Sequence, residues 1–180
     1  MRNTRMIAVA SILGALAALS ELIPGPPFDI PFPLYSKISW DLTGIPIMIS
    51  QLMYGPITAV YTTLIGCSII FLRGNLYGGI FKIVAELATV MGYALLKRST
   101  VERSLSAVAS RVLVMTVANY CLLQMFYGMP ESVVIGLLPV IAVFNASQVL
   151  ISIIPAYIVC QRIIKLREHI PKEQPSIKYT

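Results

Sequence analysis

The chain has 180 residues, of which 57% are hydrophobic and only 12% are charged, and its mean hydropathy is +0.79. Soluble domains carry about 25% charged residues, so this composition is typical of a protein adapted to lipid. The formal net charge of +6 does not indicate nucleic-acid binding, because the basic residues cluster at the chain ends and in one loop, as they do beside membrane helices. We therefore predict an integral membrane protein with the lipid bilayer, and no nucleic acid, among its partners.

Six helices are predicted from apolar stretches that proline and glycine separate. A membrane span needs about 20 mainly apolar residues. The predicted helices cover residues 4–23, 43–55, 57–72, 77–96, 105–126 and 131–164. The second is short for a span, so we expect it to be buried among its neighbours or irregular. The sequence thus predicts an all-α membrane protein whose six transmembrane helices form one compact bundle (residues 1–168), followed by a polar cytoplasmic tail (residues 169–180).

The distribution of basic residues predicts the orientation of this bundle. Most of them lie at the N-terminus, between the fourth and fifth helices, or near the C-terminus: Arg2, Arg5, Lys97, Arg98, Arg103, Arg111, Arg162, Lys165 and Arg167. The other side carries only Lys37 and Arg73, with Lys82 a turn inside the fourth helix. The positive-inside rule then predicts a multi-pass protein of the cell membrane with both termini in the cytoplasm.

Residues for common intramembrane catalysis are missing from the predicted spans. The single histidine, His169, falls in the tail, and both aspartates, Asp29 and Asp41, fall in the first loop or at its edge. No phosphate-binding loop and no C-x-x-C spacing occurs, so we expect no enzyme, no metal site and no cofactor. Lys82 and Glu86 are spaced i,i+4 on the fourth helix, where each is expected to neutralise the other.

Small residues recur at a spacing of four along the first predicted helix. Ala10, Gly14 and Ala18 share one row, with Ser11 and Ala15 on the adjacent row. Such a row lets another helix approach closely, and close packing drives helix association in lipid. The partner helix belongs either to the same bundle or to another protein.

Amide side chains interrupt the last two predicted helices, which are otherwise apolar. They are Asn119, Gln124, Asn145 and Gln148. Burying an amide without partners costs roughly 2–7 kcal/mol, so these groups need hydrogen bonds. A carboxamide both donates and accepts, which suits a neutral heterocycle or polyol. The amides therefore either bind a ligand or tie helices together.

Three segments resemble the S components of energy-coupling factor (ECF) vitamin transporters. SKISWDLTGIPIMISQLMYGP is similar to the signature of loop one and helix two, while RVLVMTVANY and FNASQ resemble the riboflavin-binding S component in particular. The resemblance spans residues 4–164. It implies a six-helix subunit that captures riboflavin or a related neutral vitamin from outside, with loop one closing over the ligand. It also implies docking, through small residues of helix one, onto a transmembrane coupling subunit that carries two ATP-binding subunits.

The motif positions assign roles to two of the amides by resemblance. Asn119 and Asn145 match residues that hold the polar edge of the isoalloxazine ring, whereas Gln124 lies in no motif and is expected to be structural. Gln148 stands where the family usually has lysine, and its amide can still donate to a ring carbonyl. Gly44 stands where the family often has an acidic residue. The departure at Gln148 favours a related neutral heterocycle as well as flavin, and the departure at Gly44 weakens the expectation of a binding role for that turn.

The remaining predicted site residues lie in the first loop and the first helix. Tyr35, Trp40 and Asp41 are candidates for the lid over the ligand, with an interfacial aromatic belt and a helix N-cap as alternatives. By resemblance, the row Ala10, Gly14 and Ala18 is the candidate docking surface. The alternatives for the whole chain are an S component for another vitamin or a nucleobase-like compound, and a structural membrane protein whose amides only join helices.

Overall fold

A computed structural model describes residues 2–169, without the side chains of residues 2, 3, 167 and 169. The residues form six helices and two short strands: α1 (Arg2–Leu22), β1 (Asp29–Pro31), β2 (Ser39–Asp41), α2 (Gly44–Tyr54), α3 (Pro56–Leu72), α4 (Leu76–Leu95), α5 (Thr100–Tyr127) and α6 (Glu131–His169). The described residues thus confirm the six predicted helices. The predicted tail, apart from the end of α6, lies outside the described residues.

Helix α5 begins earlier than the hydrophobic pattern predicted, at Thr100 rather than at Leu105. Ser99 forms a capping box with Glu102: the Ser99 Oγ accepts from the Glu102 N–H at 3.3 Å, and the Glu102 Oε2 accepts from the Ser99 N–H at 3.2 Å. These bonds satisfy backbone groups that a helix start leaves unpaired. A polar first turn therefore extends the helix beyond its apolar part.

Four of the helices are long and apolar enough to cross a membrane, judged by length and composition: α1, α4, α5 and α6. Helices α2 and α3 are shorter, with 11 and 17 residues. Helix α2 packs against α1, α3 and α6, and its Ile47 and Met48 are fully buried. This agrees with the expectation that the second helix is enclosed by its neighbours.

Close packing between α1 and α3 depends on glycine in both helices. A Cβ atom on Gly14 would lie 2.7 Å from the Cβ of Ile65, and one on Gly66 would lie 2.6 Å from the Cβ of Ala17. Both distances are too short for real side chains, so only glycine permits this approach. Gly14 and Ala17 of α1 therefore serve packing within the bundle.

This packing covers part of the predicted docking row. Ala10 is 1% exposed and Gly14 is buried, while Ala18 is half-buried. The small residues that α1 leaves exposed lie on the adjacent row and include Ser11 and Ala15. Ala10 and Gly14 are therefore less accessible to a second protein than Ser11 and Ala15 are.

The proline-rich first loop contains a β-hairpin that the sequence did not predict. Strands β1 and β2 pair antiparallel, with Ile30 opposite Trp40. The buried Phe32 packs edge-on against Trp40, with ring centroids 5.1 Å apart, and against Phe144 of α6 at 5.5 Å. This loop-one hairpin, residues 29–41, is thereby fixed to the first half of α6.

Candidate functional site

A cavity of about 460 Å³ opens at the end of the bundle that carries the loop-one hairpin. Its walls come mainly from the hairpin, the first half of α4, residues 111–127 of α5 and the first half of α6. They include the side chains of Tyr35, Phe81, Asn119, Tyr127, Phe144 and Asn145. Small-molecule sites have volumes of roughly 300–1,000 Å³ and combine apolar walls with a few polar groups. The cavity therefore has the size and lining of a ligand site.

Of the four predicted amides, Asn119 and Asn145 line this cavity, whereas Gln124 and Gln148 do not. The Asn119 Nδ2 donates to the carbonyl of Met115 at 2.7 Å, one turn back on the same helix. Gln124 forms the equivalent bond to Tyr120 at 2.8 Å, but it lies outside the cavity lining. Within the described residues, neither side chain is hydrogen-bonded to another helix. A role in joining helices therefore does not explain Asn119, whose Oδ1 accepts from no donor among the described residues.

Asn145 is connected to a neighbour that sequence reasoning missed. Its Nδ2 donates to the Ile141 carbonyl at 2.9 Å, and its Oδ1 accepts from the Nε of Arg111 at 3.1 Å. Arg111 is 2% exposed, and its Nη1 donates to the Oε1 of Glu86 at 2.9 Å and to the Oγ1 of Thr89 at 3.1 Å. A buried ion pair between α4 and α5 thus supports the base of the cavity.

Two predictions about charge are therefore wrong. Arg111 does not belong to the basic loop between α4 and α5, because it lies well inside α5 and lines the cavity. Glu86 pairs with Arg111 and not with Lys82, because the packing of α4 on α5 brings the guanidinium to it. An arginine inside the apolar run SAVASRVLVMTV was the signal for a functional group, since intramembrane charges are costly and seldom incidental.

Lys82 instead binds the loop-one hairpin. Its Nζ forms an ion pair with Asp41 of β2 and lies 3.7 Å from the Oε2 of Glu21 at the end of α1. The same Glu21 oxygen accepts from the Thr43 Oγ1 at 2.9 Å, and the Thr43 N–H donates to the Asp41 Oδ1 at 3.0 Å. This cluster connects the hairpin with α1, α2 and α4 at the mouth of the cavity.

Gln148 and Trp40 fix the other side of the hairpin. The Gln148 Nε2 donates to the Asp41 carbonyl at 2.8 Å, and its Oε1 accepts from the Asp41 N–H at 3.3 Å. The Trp40 Nε1 donates to the Oγ of Ser147 at 2.9 Å. Neither Gln148 nor Trp40 lines the cavity, whereas Tyr35 and Asp41 do. An amide can both donate to and accept from a strand, which a lysine cannot, so the hairpin gives a physical reason for glutamine at position 148.

Gly44 also has a structural explanation. A Cβ atom there would collide with the Oγ of Ser152 and would lie 3.3 Å from the Oε2 of Glu86. There is no room for an acidic side chain at the start of α2. The carboxylate of Glu86 on α4 already occupies the adjacent space.

The charges around the cavity balance. Its lining contains three basic and two acidic side chains, and Glu86 lies directly behind Arg111. Within the described part of the chain, no group of three or more His, Cys, Asp or Glu residues could hold a metal ion. The site therefore offers hydrogen bonds and aromatic contacts rather than a net charge.

Comparison with known proteins identifies the fold. No protein-family model and no curated protein matches the sequence. A solved structure described as "Structure and mechanism of the S component of a bacterial ECF transporter" superposes with a TM-score of 0.77, at 19% identity, over 92% of this chain and 99% of that chain. The chain therefore has the fold of an ECF transporter S component, in agreement with the sequence resemblance.

Proposed function

We propose that this protein is the substrate-binding S component of an ECF-type importer and acts by binding, without catalysis. The observation that carries the proposal is the cavity of about 460 Å³ beneath the loop-one hairpin, in an S-component fold. A structural membrane protein needs no such cavity. It also needs no amide like Asn119, whose side-chain bond stays within α5 in the described structure.

Riboflavin, or a related neutral vitamin, is the proposed substrate. The uracil-like edge of a flavin presents an N–H between carbonyl groups, and the aromatic walls suit a planar ring. Asn119 offers its Oδ1 as an acceptor. The Oδ1 of Asn145 accepts from Arg111 and its Nδ2 donates once, to the Ile141 carbonyl, so Asn145 keeps a second amide N–H to donate. The balanced charges around the cavity also favour a neutral ligand. Another vitamin, or a nucleobase-like compound with a similar edge, is the alternative.

The proposed orientation places the cavity outside the cell and both termini in the cytoplasm. Arg5, Lys97, Arg98 and Arg162 lie at the helix ends opposite the cavity, as the positive-inside rule requires. We further propose that the accessible small residues of α1, namely Ser11 and Ala15 of the adjacent row and the half-buried Ala18 of the predicted row, dock on the transmembrane coupling subunit, which carries two ATP-binding subunits. Small residues there allow a close helix approach in lipid.

Fluorescence of Trp40 tests the flavin assignment, because it is the only tryptophan and lies beside Asp41 of the cavity wall. We expect the purified protein to carry bound yellow flavin or to lose most of its Trp40 emission when riboflavin is added. Thiamine, which carries a fixed positive charge, is the control and should leave the emission unchanged. Constant emission at micromolar riboflavin, with no copurified flavin, would contradict the flavin assignment and leave other vitamins open.

A further inference from the structure

Arg111 has hydrogen-bonding capacity that its protein partners do not use. Its Nε and Nη1 donate to Asn145, Glu86 and Thr89. Its Nη2 donates to no described residue. Nη2 is not fully buried, because among the described residues the fully buried side-chain N and O atoms without a partner belong only to Gln51 and Glu86. Nη2 thus keeps accessible surface, and the cavity is the open space that Arg111 lines.

Partners on both sides fix the orientation of this guanidinium. Glu86, which is 0% exposed, holds one nitrogen from α4, and the Asn145 Oδ1 holds Nε from α6. A guanidinium is planar, so fixing two of its nitrogens also fixes the direction of the third. The remaining N–H groups therefore point in a defined direction before a ligand arrives.

We propose that Arg111 is a specificity-determining residue that donates through Nη2 to a carbonyl oxygen on the polar edge of the ligand. This inference rests on the proposed function and deepens it. With Arg111 as donor, Asn145 as a second donor and Asn119 as acceptor, the site matches a lactam or imide edge, in which carbonyl groups adjoin an N–H. Glu86 is the positioning residue that keeps the guanidinium directed at the cavity.

A purely structural role for the Glu86–Arg111 pair is the competing explanation. Replacing both members of a buried ion pair with apolar residues is often neutral for stability, whereas removing one member leaves a buried charge without compensation. The double variant Glu86→Met/Arg111→Met therefore removes the proposed donor without leaving a buried charge. Its thermal unfolding in detergent should resemble that of the wild type.

The test compares the wild type and this double variant for their affinity toward ligands that differ in one atom. Riboflavin, 2-thioriboflavin and 4-thioriboflavin are titrated against the full chain in detergent, and binding is followed by flavin fluorescence. Sulfur accepts hydrogen bonds weakly, so replacing the contacted oxygen should weaken binding to the wild type on the order of tenfold. The same replacement should have no effect in the double variant, because the donor is absent. Arg111→Lys, which keeps a charge beside Glu86, is the second variant and should lose most of the discrimination.

The outcomes separate this inference from the proposed function. If the wild type binds riboflavin and both thio analogues equally, or discriminates no more than the variants do, Arg111 does not contact the ligand edge and the inference is wrong. The flavin assignment would survive that result. A wild type that binds none of the three flavins would contradict the flavin assignment and the inference together. If it then binds a vitamin without such an edge, the S-component function stands.

Discussion

Replacing Arg111 alone with methionine should lower the free energy of unfolding by about 3–5 kcal/mol. Glu86 is 0% exposed, and this substitution removes the cation that lies 2.9 Å from its Oε1. Its other oxygen, Oε2, already has no hydrogen-bond partner within the described residues. The carboxylate would remain buried without compensation. Chemical or thermal unfolding of the purified protein in detergent measures the loss.

Arg103 on the same helix provides the matched control. Its guanidinium lies 4.2 Å from the centroid of the Tyr93 ring, and its Nε donates to the Tyr93 carbonyl at 3.2 Å. It is half-buried, so the Arg103→Met variant leaves no buried charge and should cost only about 0.5–1 kcal/mol. Equal losses in the two variants would show that Glu86 does not depend on Arg111.

Replacing Lys82 with methionine should release bound riboflavin faster, on the order of tenfold or more. Lys82 is the cation that holds the loop-one hairpin to α4, through Asp41, and it also lies near Glu21. Without it, two carboxylates at the mouth of the cavity repel each other and the hairpin is less firmly closed. Stopped-flow displacement of bound flavin measures the dissociation rate. Lys37→Met is the control, because Lys37 also lines the cavity but is exposed, and its removal should change this rate little.

The charge state of Asp41 makes the predicted rate of flavin dissociation depend on pH. Burial raises the pKa of its carboxyl most strongly of any single cause, but the Lys82 ammonium, with smaller help from Thr43 and Arg111, lowers it by more in total, so the pKa lies below the ordinary value of 3.8. The stability that this pair contributes is therefore complete above pH 3.8 and is lost as the pH falls through the lowered pKa. Dissociation should be constant at neutral and mildly acidic pH. A dissociation rate that begins to rise well above pH 3.8 in the wild type, but not in Lys82→Met, would contradict a lowered pKa of Asp41 in its pair with Lys82.

The helices could be predicted because their signals are local. The break at Gly55-Pro56 predicted the end of α2 and the start of α3, and the break at Gly128 predicted the end of α5. The positive φ of 91° at Gly55 and of 60° at Gly128 shows why glycine stands there. The start of α5 at Thr100 depends on the capping box of Ser99 and Glu102, which is also a local signal. The polar residues between Ser99 and Leu105 hid this start from a prediction based on apolar runs. Local signals thus define the elements of this fold.

The pairing of buried charges could not be predicted in this way. The i,i+4 spacing of Lys82 and Glu86 indicates only that both side chains lie on one face of α4. Their partners, Asp41 and Arg111, come from other elements, and tertiary packing alone brings these groups together. The bond between Gln148 and Asp41 likewise joins residues 107 positions apart. Long-range contacts of this kind decide which amide donors and acceptors are already occupied and which remain free for a ligand.

Riboflavin affinity of Asn119→Ala, compared with Gln124→Ala, tests the central claim most directly. Both side chains lie on α5 and form the same bond to a carbonyl one turn back, at 2.7 and 2.8 Å, but only Asn119 lines the cavity. We expect Asn119→Ala to weaken binding on the order of tenfold or more, and Gln124→Ala to leave it unchanged, with similar unfolding in both variants. Equal affinity in the two variants, or a loss of binding in Asn119→Ala that only follows a loss of folding, would contradict a ligand site at this cavity.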